Sequence, residues 1–186
     1  MNIKAFTLAA IFLTATVFLS AQENEKNEKM KYSNVTEFGF FASSPRGISV
    51  EATTAHGFSF QKQHHFGLGV GFGVYIHWYY YRPNRGTMYM PIFFNYRYYF
   101  KQGEKFSPHI NVAVGGITIE DGAGVYSAIT MGFKAGAFSF SSGLSFMPFY
   151  RKFEINSSPW ETFAPPYSLT KWYYPFGMTL KVGFAF

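Results

Sequence analysis

The 186-residue chain predicts an all-β protein, an eight-stranded antiparallel up-and-down transmembrane β-barrel. Three observations carry that expectation. Apolar side chains recur at every second position over stretches of a dozen residues, the face between them is mostly Gly, Ser and Thr, and aromatics reach 22% while charged residues reach only 14%. Average soluble domains carry about 25% charge, which argues against a soluble enzyme with a charged coat. Disordered chains are aromatic-poor and charge-rich, so disorder fails as well. Beyond the N-terminus no apolar run approaches the ~18 residues of a membrane helix.

The first element is a targeting segment. Lys4 supplies a positive start, Ala5 to Leu19 is an apolar core of secretory length, and Leu19-Ser20-Ala21 presents small residues before a cut at Gln22. The expected organisation is a signal peptide over 1–21, a charged lead-in over 22–31 and a barrel over 32–186. The chain has no cysteine, which excludes a lipoprotein attachment site, a disulfide framework and thiolate chemistry.

From Val35 onward the period is two. Strands are expected over 34–42, 47–60, 66–78, 88–101, 109–120, 126–138, 142–152 and 171–186. In the second, Ile48, Val50, Ala52, Thr54, Phe58 and Phe60 oppose Ser49, Glu51, Thr53, Gly57 and Ser59. The third is the clearest: Phe66, Leu68, Val70, Phe72, Val74, Ile76 and Trp78 alternate with Gly67, Gly69, Gly71, Gly73, Tyr75 and His77. In the fourth, Met88 to Phe100 oppose Asn95, Arg97 and Lys101, and in the sixth Ile129, Met131 and Phe133 oppose Thr130, Gly132 and Lys134. The last runs Trp172, Tyr174, Phe176, Met178, Leu180, Val182, Phe184 and Phe186 on one face. Such alternation is a strand signal, and its length fits the ~9–11 residues of a tilted membrane strand. Eight is an even count, as bacterial single-chain barrels have.

The polarity of the two faces selects a membrane barrel over a sandwich or lipocalin. The bulky face is continuous and the opposite face is small and polar, while eight strands enclose only enough space for their own side chains. The small face therefore suits the interior and the aromatic face suits lipid, where an open edge would strand backbone groups in hydrocarbon. Aromatic clusters (Trp78 to Tyr81; Tyr96, Tyr98, Tyr99; Trp172, Tyr173, Tyr174) sit near strand ends, as interfacial girdles do. Glu37, Glu51, Arg97, Lys134, Arg151 and Lys181 fall on the inward face and are expected to close the lumen with ion pairs.

With the N-terminus starting in the periplasm, turns near 61–65, 102–108 and 139–141 lie inside and loops near 43–46, 79–87, 121–125 and 153–170 lie outside. The longest connection is then external, as such proteins arrange it.

From about residue 32 to 186 the chain resembles the small eight-stranded outer-membrane barrels of Gram-negative bacteria, the OmpA/OmpX type, and its Tyr/Phe richness and Ala-Gln cleavage site are similar to generic Bacteroidota barrels. The ending, with Met178, Leu180, Val182, Phe184 and Phe186 alternating to a terminal Phe, resembles the signal by which outer-membrane assembly machinery recognises its clients. The resemblance implies outer-membrane localisation and contact with lipid and lipopolysaccharide. Two features depart from it. No peptidoglycan-binding domain follows the barrel, and the short external loops argue against an OmpX-like protruding sheet.

The expected role is non-enzymatic: a structural or accessory subunit of a larger outer-membrane complex, with no cofactor, no metal and no nucleic acid. Arg46, Arg82, Arg85, Arg151, Lys152 and Lys171 map near the external strand ends, where guanidinium forks suit the phosphates of lipopolysaccharide. The alternative is a lipid A-modifying acyl hydrolase or transferase. Folding the second strand on the third about Gln63 would set Ser49 opposite His77 with Glu51 one step away, an arrangement able to activate a hydroxyl. A narrow ion channel is a further alternative.

Overall fold

The computed structural model describes residues 30–44, 47–77, 86–100, 106–155 and 167–186. Ten strands follow in chain order: β1 (Met30–Ser44), β2 (Gly47–Phe60), β3 (His64–His77), β4 (Gly86–Tyr99), β5 (Phe106–Ile119), β6 (Gly122–Ala135), β7 (Phe138–Phe146), β8 (Phe149–Ile155), β9 (Tyr167–Tyr173) and β10 (Phe176–Ala185). From β1 to β7 each strand pairs antiparallel with the next, β7 pairs with β10, and β10 returns to β1. These eight close a ring without an edge.

The extra two strands are continuations. The seventh wall strand breaks at Met147-Pro148 and resumes as β8, and β9 breaks at Tyr174-Pro175 before resuming as β10. Proline lacks the N–H a ladder needs, so the strands are interrupted at both places, while the Pro148 carbonyl still accepts from Val125 N and the Pro175 carbonyl from Met147 N. β8 then pairs with β9, and its first three residues also pair with Gly122–Gly124 of β6. Residues 152–155 and 167–170 continue beyond the last β6 pair as a two-stranded hairpin, an overhang of about 13 Å at ~3.3 Å per residue. This corrects the expectation of a short external surface with no protruding sheet.

Segment 121–125, expected as a loop, is mostly strand, because its glycines permit close approach. A Cβ on Gly122 would lie 1.9 Å from the Tyr150 carbonyl oxygen, and one on Gly124 would lie 2.2 Å from that of Pro148. The turns are correspondingly tight: Glu120–Asp121 joins β5 to β6, and Gly136–Ala137 joins β6 to β7 with Gly136 at φ 63°. The expected turn at 139–141 is instead wall strand, with Ser139 and Ser141 facing inward.

The polarity is inverted relative to a soluble barrel, as expected from the alternation. Leu68 (67% exposed), Met131 (66%) and Phe38 (58%) stand on the outer wall, while Arg97, Ser139 and Ser141 are fully buried inside. So continuous an apolar exterior has no stable place in water. Substituting Ile129, at mid-strand on the outer face of β6, with Arg is expected to cost about 2–4 kcal/mol in lipid. Reversible unfolding in vesicles measures it.

Aromatic girdling holds in part. Tyr96 faces outward near the end that carries the termini and bonds His64 Nδ1 at 3.0 Å. At the opposite end Trp172 and Tyr174 are exposed and stack at 6.2 Å. Tyr99 and Tyr173 are the corrections: Tyr99 is buried in the lumen beside His109, and Tyr173 stacks on the buried Phe149 at 5.1 Å, both at the wrong parity for a girdle. Trp78 to Tyr81 lie outside the described residues.

Candidate functional site

The lumen is filled, and glycine on one strand makes room for rings from the next. In β3, Gly69 is directly opposite Phe93 and Gly73 opposite Tyr89 of β4. A Cβ on either glycine would lie 2.3 Å from the facing ring. The glycine run of β3 therefore seats aromatic side chains, and Phe93 then packs on Tyr126 of β6 at 5.2 Å. Phe41, Tyr75 and Phe149 extend the same buried cluster. Sequence reasoning placed the glycines inward correctly and missed the rings that fill the space they leave.

In the half of the lumen nearer the β8–β9 hairpin, Glu51 is the centre of a polar network. Lys181 Nζ lies 2.7 Å from Glu51 Oε1. The Tyr126 hydroxyl donates to Oε1 at 2.9 Å, and the Tyr89 hydroxyl donates to Oε2 at 3.0 Å. Lys181 also donates to the Tyr126 hydroxyl at 2.8 Å, and Ser49 Oγ lies 2.7 Å from the Tyr89 hydroxyl. Every strong polar group here is partnered, as a dry interior requires.

Towards the termini, Arg97 Nη2 donates to Glu37 Oε1 at 2.8 Å, and Ser139 lies 3.4 Å from the same oxygen. His65 is directly opposite Arg97 and bonds Ser33 through Nδ1. Among the described residues, Arg97 Nε and Nη1, His65 Nε2 and both ring nitrogens of His109 find no protein hydrogen-bond partner. Buried water is the usual remedy for such groups.

The expected ion-pair set is thus corrected in two members. Glu37–Arg97 and Glu51–Lys181 form inside the lumen. Arg151 instead sits at the mouth of the barrel, still paired with Gly122 of β6, where its guanidinium lies 3.5 Å from Asp121 at the β5–β6 turn and 3.5 Å from the Thr87 hydroxyl of β4. Lys134 lies near the mouth with Nζ 5.9 Å from the Tyr99 ring centroid, and no ion pair forms to it among the described residues.

The Ser49–His77–Glu51 arrangement is corrected by register. The β2–β3 turn occupies residues 61–63, with Gln61 and Lys62 at positive φ, and centres the hairpin on residue 62. Ser49 consequently pairs with Tyr75, Glu51 with Gly73, and His77 with Gly47. That is a displacement of two residues from the expected pairing. Ser49 is 1% exposed and its hydroxyl is spent on Tyr89. His64 and His65 point to opposite faces of the wall, and among the described residues no cluster of metal-binding side chains forms.

At the rim, Arg151 is directly opposite Lys171 across β8 and β9, with Lys152 exposed beside them. Like charges directly opposed repel, and Asp121 lies beside Arg151. Lys171 Nζ lies 5.5 Å from the Tyr173 ring. Arg46, Arg82 and Arg85 lie outside the described residues.

A closed antiparallel ring with an apolar exterior and a filled, polar-cored lumen defines a small β-barrel of the transmembrane type. No protein-family model and no curated protein matches the sequence. Among solved structures it is similar to the crystal structure of the outer membrane enzyme PagL, at TM-score 0.45 and 12% identity, over 80% of this chain and 97% of that one. At that distance no residue role or activity carries from one protein to the other.

Proposed function

We propose that the protein is a non-enzymatic outer-membrane barrel that works through its surfaces, as a structural or accessory subunit of an outer-membrane complex. The observation that supports this reading is the filled lumen. Phe93, Tyr89 and Tyr126 with the Glu51–Lys181 pair occupy the interior, which leaves the outer wall and the two ends as the surfaces a partner or lipid can reach. In this reading residues 1–21 are cleaved on export. The outward residues Met178, Leu180, Val182, Phe184 and Phe186 first present the end of the chain to assembly machinery and afterwards face lipid.

The test is affinity purification of the full-length tagged protein from membranes, with heated and unheated samples compared on gels. A heat-shifted band in the outer-membrane fraction with a stoichiometric membrane-protein partner supports the reading. An unshifted band in the soluble fraction overturns it, as does altered lipid A acylation on deletion that wild type restores.

The external cations give this reading a lipid ligand. Arg151 and Lys171 face one another across β8 and β9, and a lipopolysaccharide phosphate placed between them would accept hydrogen bonds from both. Replacing Arg151 and Lys171 with Ala, or Arg82 and Arg85 with Ala, is expected to lower co-purifying lipopolysaccharide several-fold. Quantitation of bound lipopolysaccharide by phosphate and fatty-acid analysis checks it, and unchanged amounts remove the proposed anchor.

A further inference from the structure

A groove of about 470 Å³ marks the outer wall over β5, β6 and β7, reaching the start of β10. Two serines open it. Ser127 of β6 stands between Val114 of β5 and Phe146 of β7, and Ser142 of β7 stands between Met131 of β6 and Leu180 of β10. All four neighbours are large and exposed, so each serine leaves a gap in the wall. Ser127 Oγ donates to the Phe146 carbonyl at 2.9 Å, which spends its hydroxyl hydrogen inside the protein.

The strands that bound the groove continue past it. Phe146 of β7 and Phe176 of β10 are directly opposed at its upper end, with ring centroids 6.5 Å apart. Beyond Pro148 and Pro175 come Tyr150 of β8 and Trp172 of β9, directly opposed with centroids 5.3 Å apart, and Tyr174 stacks on Trp172. One step further along the same face, Lys152 is exposed. Arg151 and Lys171 alternate with these residues and belong to the other face, where Arg151 reaches Thr87 at the mouth.

Down one face of the molecule, a cation, three aromatic rings and an apolar groove therefore succeed one another. A lipid has the same order: a charged group, an interfacial layer and an acyl chain. Trp and Tyr settle at the membrane interface because each has an apolar body and a polar tip. Their level sets the groove in hydrocarbon and Lys152 among the headgroups.

We propose that the groove seats an acyl chain of lipopolysaccharide while Lys152 binds a phosphate of the same molecule, an inference that rests on the membrane placement and orientation proposed above. The order of the groups favours lipopolysaccharide over a glycerophospholipid. The cation stands above the aromatic rings rather than level with them, and in lipopolysaccharide sugars carry the phosphates above the acyl chains.

The test measures lipopolysaccharide and phospholipid retained per barrel, on the full-length protein purified from outer membranes in mild detergent. Ser127→Leu and Ser142→Leu, each kept heat-modifiable as evidence of a closed barrel, fill the groove while making the wall more apolar. Each is expected to lower retained lipopolysaccharide roughly tenfold, about the effect of losing two buried methylenes. Ser142→Ala keeps the gap and is expected to match wild type, whereas Lys152→Glu is expected to fall with the leucine variants. Undiminished lipopolysaccharide on closed leucine variants overturns the proposal, as does a wild-type barrel that retains glycerophospholipid alone. Should neither leucine variant close, Lys152→Glu decides, and unchanged lipopolysaccharide there overturns the proposal. Arg151→Ala/Lys171→Ala separates the groove from the rim anchor. A loss in that variant with none in the leucine variants keeps the anchor and removes the groove, and the reverse keeps the groove and removes the anchor. A chain that fractionates as soluble overturns both.

Discussion

Lys181→Met is expected to destabilise the barrel by about 3–5 kcal/mol, the usual cost of breaking a buried ion pair by removing one partner. The side chains of Lys181 and Glu51 are 3% and 5% exposed, and their charged atoms lie 2.7 Å apart. Without the ammonium, the carboxylate keeps the Tyr126 and Tyr89 hydroxyls as donors. Two neutral donors solvate a charge but do not neutralise it in so poor a dielectric. The double variant Glu51→Gln/Lys181→Met is expected to recover most of the loss, since a primary amide accepts from one tyrosine through its oxygen, donates to the other through its NH2 and carries no charge. Urea unfolding of the protein in lipid vesicles, followed by the heat-shifted gel band, measures all three. A Lys181→Met protein within 1 kcal/mol of wild type would show that the pair does not hold the lumen together.

Gly69→Val is expected to act at least as strongly, through sterics. The facing Phe93 ring already occupies the space a Cβ would take, with its Cζ 2.3 Å away. Phe93 is 4% exposed and packed on Tyr126, so the ring has nowhere to rotate without disturbing the next strand. Overpacking of a dense interior costs about 1–3 kcal/mol even where neighbours can shift, and here the neighbour is a fully seated aromatic. The expected result is a sharp fall in the heat-modifiable fraction after refolding. Gly69→Val/Phe93→Ala should restore part of it, because removing the ring vacates the contested space. If the second substitution gives no relief, the glycines of β3 serve the backbone rather than the rings.

Much of this architecture was legible in the residues because a strand's side-chain period is two, independent of its neighbours. Phe66 to Ile76 alternating with Gly67 to Tyr75 fixes which side chains share a face before any partner strand is known. Lipid contact then follows from which face is bulky. Less legible was whatever depends on pairing. Ser49 and His77 share an inward parity in the pattern, yet a turn of three residues at 61–63 shifts them two positions apart. A shift by two preserves every inward and outward assignment, so alternation carries no signal of it.

The breaks at Met147-Pro148 and Tyr174-Pro175 illustrate the same limit. Proline announces an interruption, but whether the chain then turns back or continues as β8 and β9 depends on a surface to pair with. Gly122 and Gly124 supply that surface by letting the β8 backbone approach closely. Tyr89, Phe93 and Tyr126 were likewise visible as aromatics, but their seats depend on glycines and a carboxylate contributed by other strands.

The chain alone determined the period, the inverted polarity and the strand count of the wall, because these are properties of local alternation and of the free energy of moving a face into hydrocarbon. It also marked Glu37, Glu51, Arg97 and Lys181 as inward charges that need partners. Only the closed ring decided which charges meet, that Arg151 pairs with Asp121 at the mouth rather than with an inner carboxylate, and that rings rather than ion pairs alone fill the interior. Those outcomes depend on distances across the lumen between residues as far apart in sequence as Glu51 and Lys181. Such distances exist only once hairpin registers add up around the barrel and its first and last strands meet.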